Sequence, residues 1–129
     1  MADSIFIKII RGDIPCHKIY EDDKTLAFLD IFPIVPGHVL VVSKKQVEYL
    51  WDLPDEDYQA VMAACKKVAN QLRKVLRVKY VGVKVVGTDV PHTHLHLVPF
   101  NDAKDYYKRR NPVQADDIEL ANLAAKLAL

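Results

Sequence analysis

Cysteine is scarce in this chain of 129 residues, and the two that occur, Cys16 and Cys65, lie far apart. They form neither a Cys-x-x-Cys pair nor a disulfide framework, so small disulfide-bonded scaffolds are excluded and two buried or half-buried thiols are expected. Long apolar runs are also missing, because no stretch approaches the roughly 20 apolar residues that cross a bilayer. The first residues show no export signal. We therefore expect a protein of the reducing cytoplasm.

Net charge is the second property that the sequence lacks. Lysine and arginine number 18 against 17 acidic residues, which gives a formal charge of +1. The densest basic cluster, residues 108–110, is short and typical of a solvated loop. Such a chain has no long-range field that attracts nucleic acid or an anionic membrane, so neither is expected as a partner. No repeat or flexible linker divides the chain, and its length suits a single domain, 1–129.

The hydrophobic pattern predicts short strands with helices between them. The longest element is a helix that begins at Asp52 or Pro54 and continues to Leu76, because apolar residues recur at spacings of three and four. A short helix capped by Asp3 or Ser4 precedes the strands, and a final helix is capped by Asp116 or Asp117. Short turns between strands favour an α+β fold with a five-stranded antiparallel sheet. The predicted strands are 16–21, 25–30, 38–43, 79–86 and 92–99.

Three of the five histidines, His92, His94 and His96, alternate within one apolar run. On a strand these three side chains share one face, while Leu95 and Leu97 point to the other face and into the core. We therefore expect the three imidazoles to look out together, into a cleft or toward solvent.

The residues alone leave three interpretations of this pattern open. A purely structural role is disfavoured, because protonation of one buried ring opposes protonation of the next. A metal ion can bridge neighbours such as His92 and His94, although Cα atoms four residues apart on a strand are about 13 Å from each other and metal–nitrogen bonds are only about 2 Å long. A neutral imidazole is also a good nucleophile near pH 7, and the N–P bond that it forms with a phosphate is labile. Three rings can then divide attack, orientation and hydrogen-bond donation.

The run HTHLHLV at 92–98 resembles the histidine triad motif, in which three alternating histidines are followed by apolar positions. Residues 4–45 are similar to the opening of the Hint-type branch of that family, including Ile-Pro, a Glu-Asp-Asp turn and the runs AFLDI and PGHVLVV. The resemblance covers a core of residues 4–100 and leaves 101–129 as a C-terminal loop and helix. It implies the histidine triad (HIT) fold and a purine nucleotide hydrolase or transferase, commonly a homodimer.

The resemblance also implies roles for individual residues. His94 would be the nucleophile on the α-phosphorus, and His96 would contact the phosphate or the leaving group. His92 would orient His94 through its backbone carbonyl, with His38 packed behind as support. The nucleotide would lie against Phe6, Ile9, Ile14, Phe28 and Ile31 around the base, Asp30 at the ribose hydroxyls, and Thr88, Asp89 and Val90 near the phosphate. From the pattern alone, the apolar members of this set are equally well explained as core residues.

The sequence departs from the family pattern before the triad. Many relatives carry a longer loop there with amide donors, whereas Thr88 and Asp89 occupy this stretch here. A carboxylate in place of amide donors is expected to weaken phosphate binding or to change its geometry. The zinc-binding Cys-x-x-Cys of some relatives falls on Ser4 and Ile7, so no such zinc is expected.

The function expected from these features is cleavage of a phosphoramidate or related bond at the α-phosphate of an AMP or GMP derivative, through a nucleotidyl-His94 intermediate. Neither a metal nor another cofactor is required for this chemistry. Three rival functions stay open. One is a dinucleoside polyphosphate hydrolase of the Fhit type, and another is a nucleotide-binding protein with weak or vestigial catalysis, which the carboxylate of Asp89 favours. The third is a zinc-binding module.

Overall fold

The structure is a computed structural model that describes residues 2–129. Within this range the chain forms one five-stranded antiparallel sheet, a long helix and short helices towards both ends, which confirms the predicted α+β architecture. None of the helices in the described part of the chain is long and apolar enough to cross a bilayer. The elements are α1 (Ile5–Ile10), β1 (Lys18–Glu21), β2 (Thr25–Leu29), β3 (Val39–Ser43), α2 (Asp55–Leu76), β4 (Tyr80–Lys84), β5 (His94–Phe100), α3 (Ala103–Tyr106) and α4 (Asp117–Leu127).

The strands are ordered β1-β2-β3-β5-β4 in the sheet, and every neighbouring pair is antiparallel. Strand β5 therefore lies between β3 and β4. Its residue His96 is paired with Leu40 on one side and with Lys84 on the other, and His94 is paired with Val42. Because directly paired residues project on the same face of a sheet, these side chains form one continuous row.

Alternation along the strands gives the sheet two differently covered faces. Helix α2 packs on the first face, where Leu95 and Leu97 of β5 join an aliphatic core. The second face is covered by α1, whose Phe6 packs against Leu26, Phe28, Leu40 and Val42. The histidines of β5 project on this second face, beside α1.

The two amphipathic helices begin where their caps predict. Helix α2 has Pro54 as its N-cap, three acidic residues in its first turn that favour the positive end of the helix dipole, and a left-handed residue, Arg77, at its end. Helix α4 is capped by the Asp116 carboxylate, which accepts a hydrogen bond from the backbone N–H of Glu119. The apolar side of α4 is buried in the main core, so the C-terminal helix packs as part of the domain.

Strand β4 ends earlier than predicted, at Lys84, and strand β5 begins later than predicted, at His94. The backbone turns at Gly87, where φ is +80°, and Pro91 has no N–H to donate to a sheet ladder. The N–H of Thr93 is bonded to the carbonyl of Val47, outside the sheet. Residues 85–93 therefore form a loop, and His92 belongs to this loop and not to the strand.

Helix α3 was not predicted. It brings the ring of Tyr106 against the backbone of β4, where an added Cβ at Gly82 would lie only 2.2 Å from a ring carbon. The Tyr106 hydroxyl donates a hydrogen bond to the carbonyl of Val83. The chain after β5 thus folds back over the end of the sheet that carries the histidines.

Candidate active site

His92 is buried, and its ring links α1 to β3 through hydrogen bonds. Its Nε2 donates a short hydrogen bond to the carbonyl of Ser43, and its Nδ1 accepts one from the Ser4 hydroxyl at 2.7 Å. The same hydroxyl accepts from the N–H of Ile7 at the start of α1. Burial lowers the pKa of His92, so a neutral ring with its proton on Nε2 satisfies every partner. The strand pattern predicted that this ring would face a cleft or solvent. That prediction is wrong for His92, because its ring is buried between α1 and β3.

His94 has one nitrogen fixed by the backbone and the other left open. Its Nδ1 lies 2.6 Å from the carbonyl of His92, which can only accept, so Nδ1 carries the proton. In the neutral ring Nε2 then keeps its lone pair, and among residues 2–129 it is buried without a hydrogen-bond partner. The Asp89 carboxylate lies 3.3 Å from Nε2, but it also is an acceptor and cannot hydrogen-bond to an unprotonated nitrogen. A buried nitrogen with a free lone pair is what a nucleophile requires.

The protonation of His38 and His96 follows from a backbone donor in the same way. The N–H of Ile34 donates to Nδ1 of His38 at 3.0 Å, which places the His38 proton on Nε2. That nitrogen donates to Nδ1 of His96 at 2.9 Å, so the proton of His96 lies on its own Nε2. His96 therefore presents an N–H donor on the side of its ring away from His38.

Both of these rings are held neutral. Burial, followed by the positive charges of Arg110 and Lys84, lowers the pKa of His38 to about 3. Burial and the neighbouring rings of His38 and His94 lower the pKa of His96 to about 4. At neutral pH His38 and His96 thus keep the arrangement of protons that the N–H of Ile34 selects.

The predicted base-binding residues surround one apolar cleft beside the triad, which we call the main cleft. Phe6 and Phe28 are also buried members of a core cluster. These two side chains therefore belong to the core and line the cleft at the same time. Ile31 is 38% exposed at the open side. The cleft is lined by Ile5, Phe6, Ile9, Ile14, Pro15, Cys16, Phe28, Leu29, Asp30, Ile31, Phe32, Leu40, Asp89, Val90, His94, His96 and Arg110.

Asp30 lies at the edge of this cleft with one oxygen occupied and the other open. Its Oδ1 accepts hydrogen bonds from the N–H of Phe32 at 2.8 Å and from the Arg110 guanidinium at 2.6 Å. Within the described part of the chain its Oδ2 is buried without a hydrogen-bond partner, 3.5 Å from Nε2 of His38, whose proton is already directed to His96. An unpaired carboxylate oxygen can accept a hydrogen bond from a hydroxyl group of a ligand that reaches it from the cleft.

Arg110 is a site residue that the sequence did not reveal. It belongs to the chain between α3 and α4, and its Nε also donates to the carbonyl of Phe32 at 3.1 Å. In the sequence it is the last member of a basic run, which is usually a solvated loop. Its contact with Asp30 spans 80 positions along the chain, and no local pattern carries such information.

The predicted phosphate residues are divided between two clefts. Val90 lines the main cleft, and Thr88 lines a second one, which we call the side cleft. Asp89, His96 and Arg110 line both clefts and therefore form the border between them. The side cleft is lined by Ile34, Lys84, Val86, Thr88, Asp89, His96 and Arg110.

The histidine cluster offers poor ligand sites for a metal ion. Ligand atoms of Asp30, His38 and His96 lie within 4.8 Å of one another. However, the N–H of Ile34 forces the proton of His38 onto the nitrogen that would have to bind the ion. The alternative pair from the sequence, His92 and His94, is unsuitable because both nitrogens of His92 already have partners.

A comparison with known protein families identifies the group to which this geometry belongs. The model of the HIT domain matches residues 11–103 of the chain. The protein belongs to the histidine triad (HIT) family. The resemblance seen in the sequence is thus confirmed.

Relatives of known name and known structure support the same assignment. Adenosine 5'-monophosphoramidase of Saccharomyces cerevisiae is 34% identical over 92% of this chain and 75% of its own length. The crystal structure of a HIT-like protein of Bartonella henselae, described as involved in cell-cycle regulation and containing an unknown ligand, superposes with a TM-score of 0.86 at 32% identity, over 97% of this chain and 93% of that one. A zinc-bound histidine triad protein of Mycobacterium smegmatis gives a TM-score of 0.78 at 31% identity, over 95% and 91% of the two chains.

Proposed function

We propose that this HIT protein hydrolyses a phosphoramidate or related bond at the α-phosphate of a purine nucleotide, through an intermediate in which the nucleotide is bound to Nε2 of His94. The observation that carries this proposal is the state of the His94 ring. The carbonyl of His92 holds the proton on Nδ1, while Nε2 is buried, unpaired and adjacent to the main cleft.

The reaction has two displacement steps. In the first, Nε2 of His94 attacks phosphorus, and the P–N bond breaks with its electron pair passing to the amine, which takes up a proton. The carbonyl of His92 stabilises the positive charge that the ring acquires. In the second step, water attacks the nucleotidyl-His94, the N–P bond breaks, and one proton is released with the mononucleotide. The N–H of His96 is available to the phosphoryl oxygens or the leaving atom throughout.

The lining of the main cleft supports the proposal that the purine nucleoside part of the substrate binds there. Phe6, Phe28 and the isoleucines around it offer flat apolar surfaces to a base, and such surfaces accept adenine and guanine alike. The open oxygen of Asp30 supports binding of a ribose hydroxyl. The name of the yeast relative, adenosine 5'-monophosphoramidase, supports an amine as the leaving group.

A nucleotide-binding protein with little turnover is the second candidate, and one contact favours it. The Asp89 carboxylate lies 3.3 Å from the nitrogen that should attack, in the region that the α-phosphate must enter. A phosphate close enough to Nε2 for attack would lie near this carboxylate, and two negative groups so placed repel each other. This contact predicts slow turnover and weaker phosphate binding, so that any affinity for a nucleotide would come from the nucleoside part in the main cleft.

The experiment that decides between them is turnover of a fluorogenic adenosine phosphoramidate. We expect the wild-type protein to release AMP and the His94→Ala variant to release none above background. His17→Ala is the matched control, because His17 is bonded to Asp117 outside both clefts. Tight binding of AMP without turnover by the wild type would favour the second candidate, and faster cleavage of diadenosine polyphosphates would favour a hydrolase of the Fhit type.

We further propose that two copies pair through the edge of the sheet formed by β4. Among residues 2–129 one edge of β4 has no strand partner, although the Tyr106 hydroxyl is bonded to the carbonyl of Val83, and the strand and the loop after it expose apolar side chains at Tyr80, Val83, Val85 and Val86. Exposed apolar edges of this kind are typical of association surfaces. Sedimentation at micromolar concentration is expected to give the mass of a dimer, and a wild-type monomer contradicts the proposal.

A further inference from the structure

The side cleft differs from the main cleft because Lys84 and Thr88 are part of its lining, and the function proposed above does not account for these two residues. The main cleft is suited to the nucleoside, so the leaving portion of the substrate must extend elsewhere from the phosphorus. The side cleft adjoins the same ring of His96 and shares its border with the main cleft. It is therefore a natural location for the leaving portion.

Lys84 is positioned by the sheet to act in this cleft. It is the direct cross-strand partner of His96, so both side chains project on the same face. Its ammonium group lies 5.1 Å from the centre of the Tyr106 ring, and this ring fixes its position from the side of α3. Among residues 2–129 no carboxylate forms an ion pair with Lys84, whereas Arg110 at the same cleft is already paired with Asp30.

The remaining polar groups of the side cleft fit an anion with one exception. Thr88 supplies a hydroxyl, and His96 presents the N–H that its bond to His38 assigns to it. Asp89 is the exception, but it lies on the border close to His94 and is not within ion-pair distance of Lys84. A negative group that extends past His96 would thus meet an ammonium group without a counterion.

We propose that the side cleft selects substrates whose leaving amine carries a negative charge, a carboxylate or a phosphate, and that Lys84 is the residue that recognises this charge. This inference rests on the proposed function, because the cleavage at phosphorus defines which part of the substrate leaves. An uncharged amine would still fit the cleft, but it would leave the ammonium group of Lys84 without a partner.

The test uses three compounds that differ only at the end of the leaving amine. AMP is joined through nitrogen to β-alanine, to β-alanine amide or to phosphoethanolamine, so that the end is a carboxylate, a neutral amide or a phosphate. Dissociation constants are measured by calorimetry at low salt on the full chain with His94→Ala, which prevents cleavage during the titration. We expect the two charged compounds to bind about fivefold more tightly than the amide.

Variants of Lys84 separate recognition of charge from packing. On the same background, Lys84→Gln is expected to remove the preference, and Lys84→Arg is expected to retain it. Lys66→Gln, on the exposed side of α2, lowers the net charge equally and is the control that should leave the preference intact. The tighter of the two charged compounds identifies whether a carboxylate or a phosphate is the better ligand.

Two results overturn the inference. They are equal dissociation constants for the charged and neutral compounds, including the case in which none binds, and a preference that survives Lys84→Gln. Turnover of the same compounds by the protein with His94 intact is recorded separately. If none is cleaved, the proposed function fails, while the dissociation constants still decide whether the side cleft recognises a negative charge.

Discussion

The two faces of the central sheet are buried by different means, and β5 contributes to both. On the α2 face, Leu95 and Leu97 are buried among aliphatic side chains that require no hydrogen bonds. On the opposite face, His94 and His96 are buried to nearly the same extent, but their polar atoms need partners. The carbonyl of His92 satisfies Nδ1 of His94 and the ring of His38 satisfies Nδ1 of His96, while Nε2 of His94 is buried without a partner among residues 2–129. We infer that the unpaired nitrogen, and not the degree of burial, distinguishes His94 as the proposed nucleophile.

Truncation of neighbouring residues on the two faces should separate stability from activity. We expect Leu95→Ala to lower the free energy of unfolding by about 2–5 kcal/mol, because it opens a cavity in a packed core. We expect His94→Ala to lower kcat/KM by at least about a thousandfold, since it removes the nucleophile, with a much smaller loss of stability. Urea unfolding and phosphoramidate turnover of both variants check this. A similar loss of stability in both would mean that His94 is chiefly structural.

The histidine face should also make stability depend on pH, as an aliphatic face cannot. The pKa of His38 is about 3 and that of His96 about 4, against an ordinary value of 6.5. Below pH 6.5 the unfolded chain binds protons that the folded protein does not bind, so the free energy of unfolding falls as the pH drops from 6.5 towards 4. Each ring contributes a slope of up to about 1.4 kcal/mol per pH unit.

The measurement is urea unfolding at pH 7, 6 and 5, above the range in which most carboxylates titrate. His38→Gln is the informative variant, because its amide can still donate a hydrogen bond to His96 but does not titrate. Its stability is expected to depend less steeply on pH. Identical slopes for the variant and the wild type would show that His38 is not held neutral by burial.

Asp89 tests how the open nitrogen is used. Replacement by Asn keeps the size of the side chain and removes a negative charge 3.3 Å from Nε2 of His94. The side chain of Asp89 is about half exposed, which screens the repulsion, so we expect a rise in kcat/KM of roughly tenfold. Steady-state kinetics with the phosphoramidate measure this. A fall in kcat instead would mean that the carboxylate assists the reaction, for example in the attack by water.

Ser4 offers the smallest perturbation of the histidine face. Ser4→Ala removes the N-cap of α1 and the hydroxyl that donates to Nδ1 of His92. The loss of a cap costs about 1 kcal/mol of stability. Activity should fall only a few-fold, because the His92 carbonyl that holds His94 is a backbone group. Thermal unfolding and turnover check both effects, and complete loss of activity in a folded variant would give Ser4 a direct catalytic part.

Most of the fold could be predicted from local patterns. The apolar residues of α2 recur with helical spacing, and β2 and β3 are short apolar runs bounded by turns. The error at β5 arose where local and non-local preferences compete. His92 continues the alternation of the strand, but Pro91 and the bond from Thr93 to Val47 draw the chain out of the sheet.

The site was less accessible to sequence reasoning than the fold. The spacing of the triad identified its histidines, but the protons on the rings depend on the carbonyl of Ser43 and the N–H of Ile34, which tertiary structure alone brings close. The contact of Arg110 with Asp30 is equally remote in sequence. The roles assigned to these residues stay predictions until the variants are measured.

Detection of a covalent nucleotide on His94 is the most direct test of the account. The protein is mixed with an adenosine phosphoramidate, quenched within milliseconds to seconds under alkaline denaturing conditions that preserve N–P bonds, digested, and examined by mass spectrometry. We expect adenylate mass on the peptide that contains His94 in the wild type, and none in His94→Ala. Release of AMP without any adenylated peptide, or adenylate on another residue, would contradict the assignment of His94 as the nucleophile.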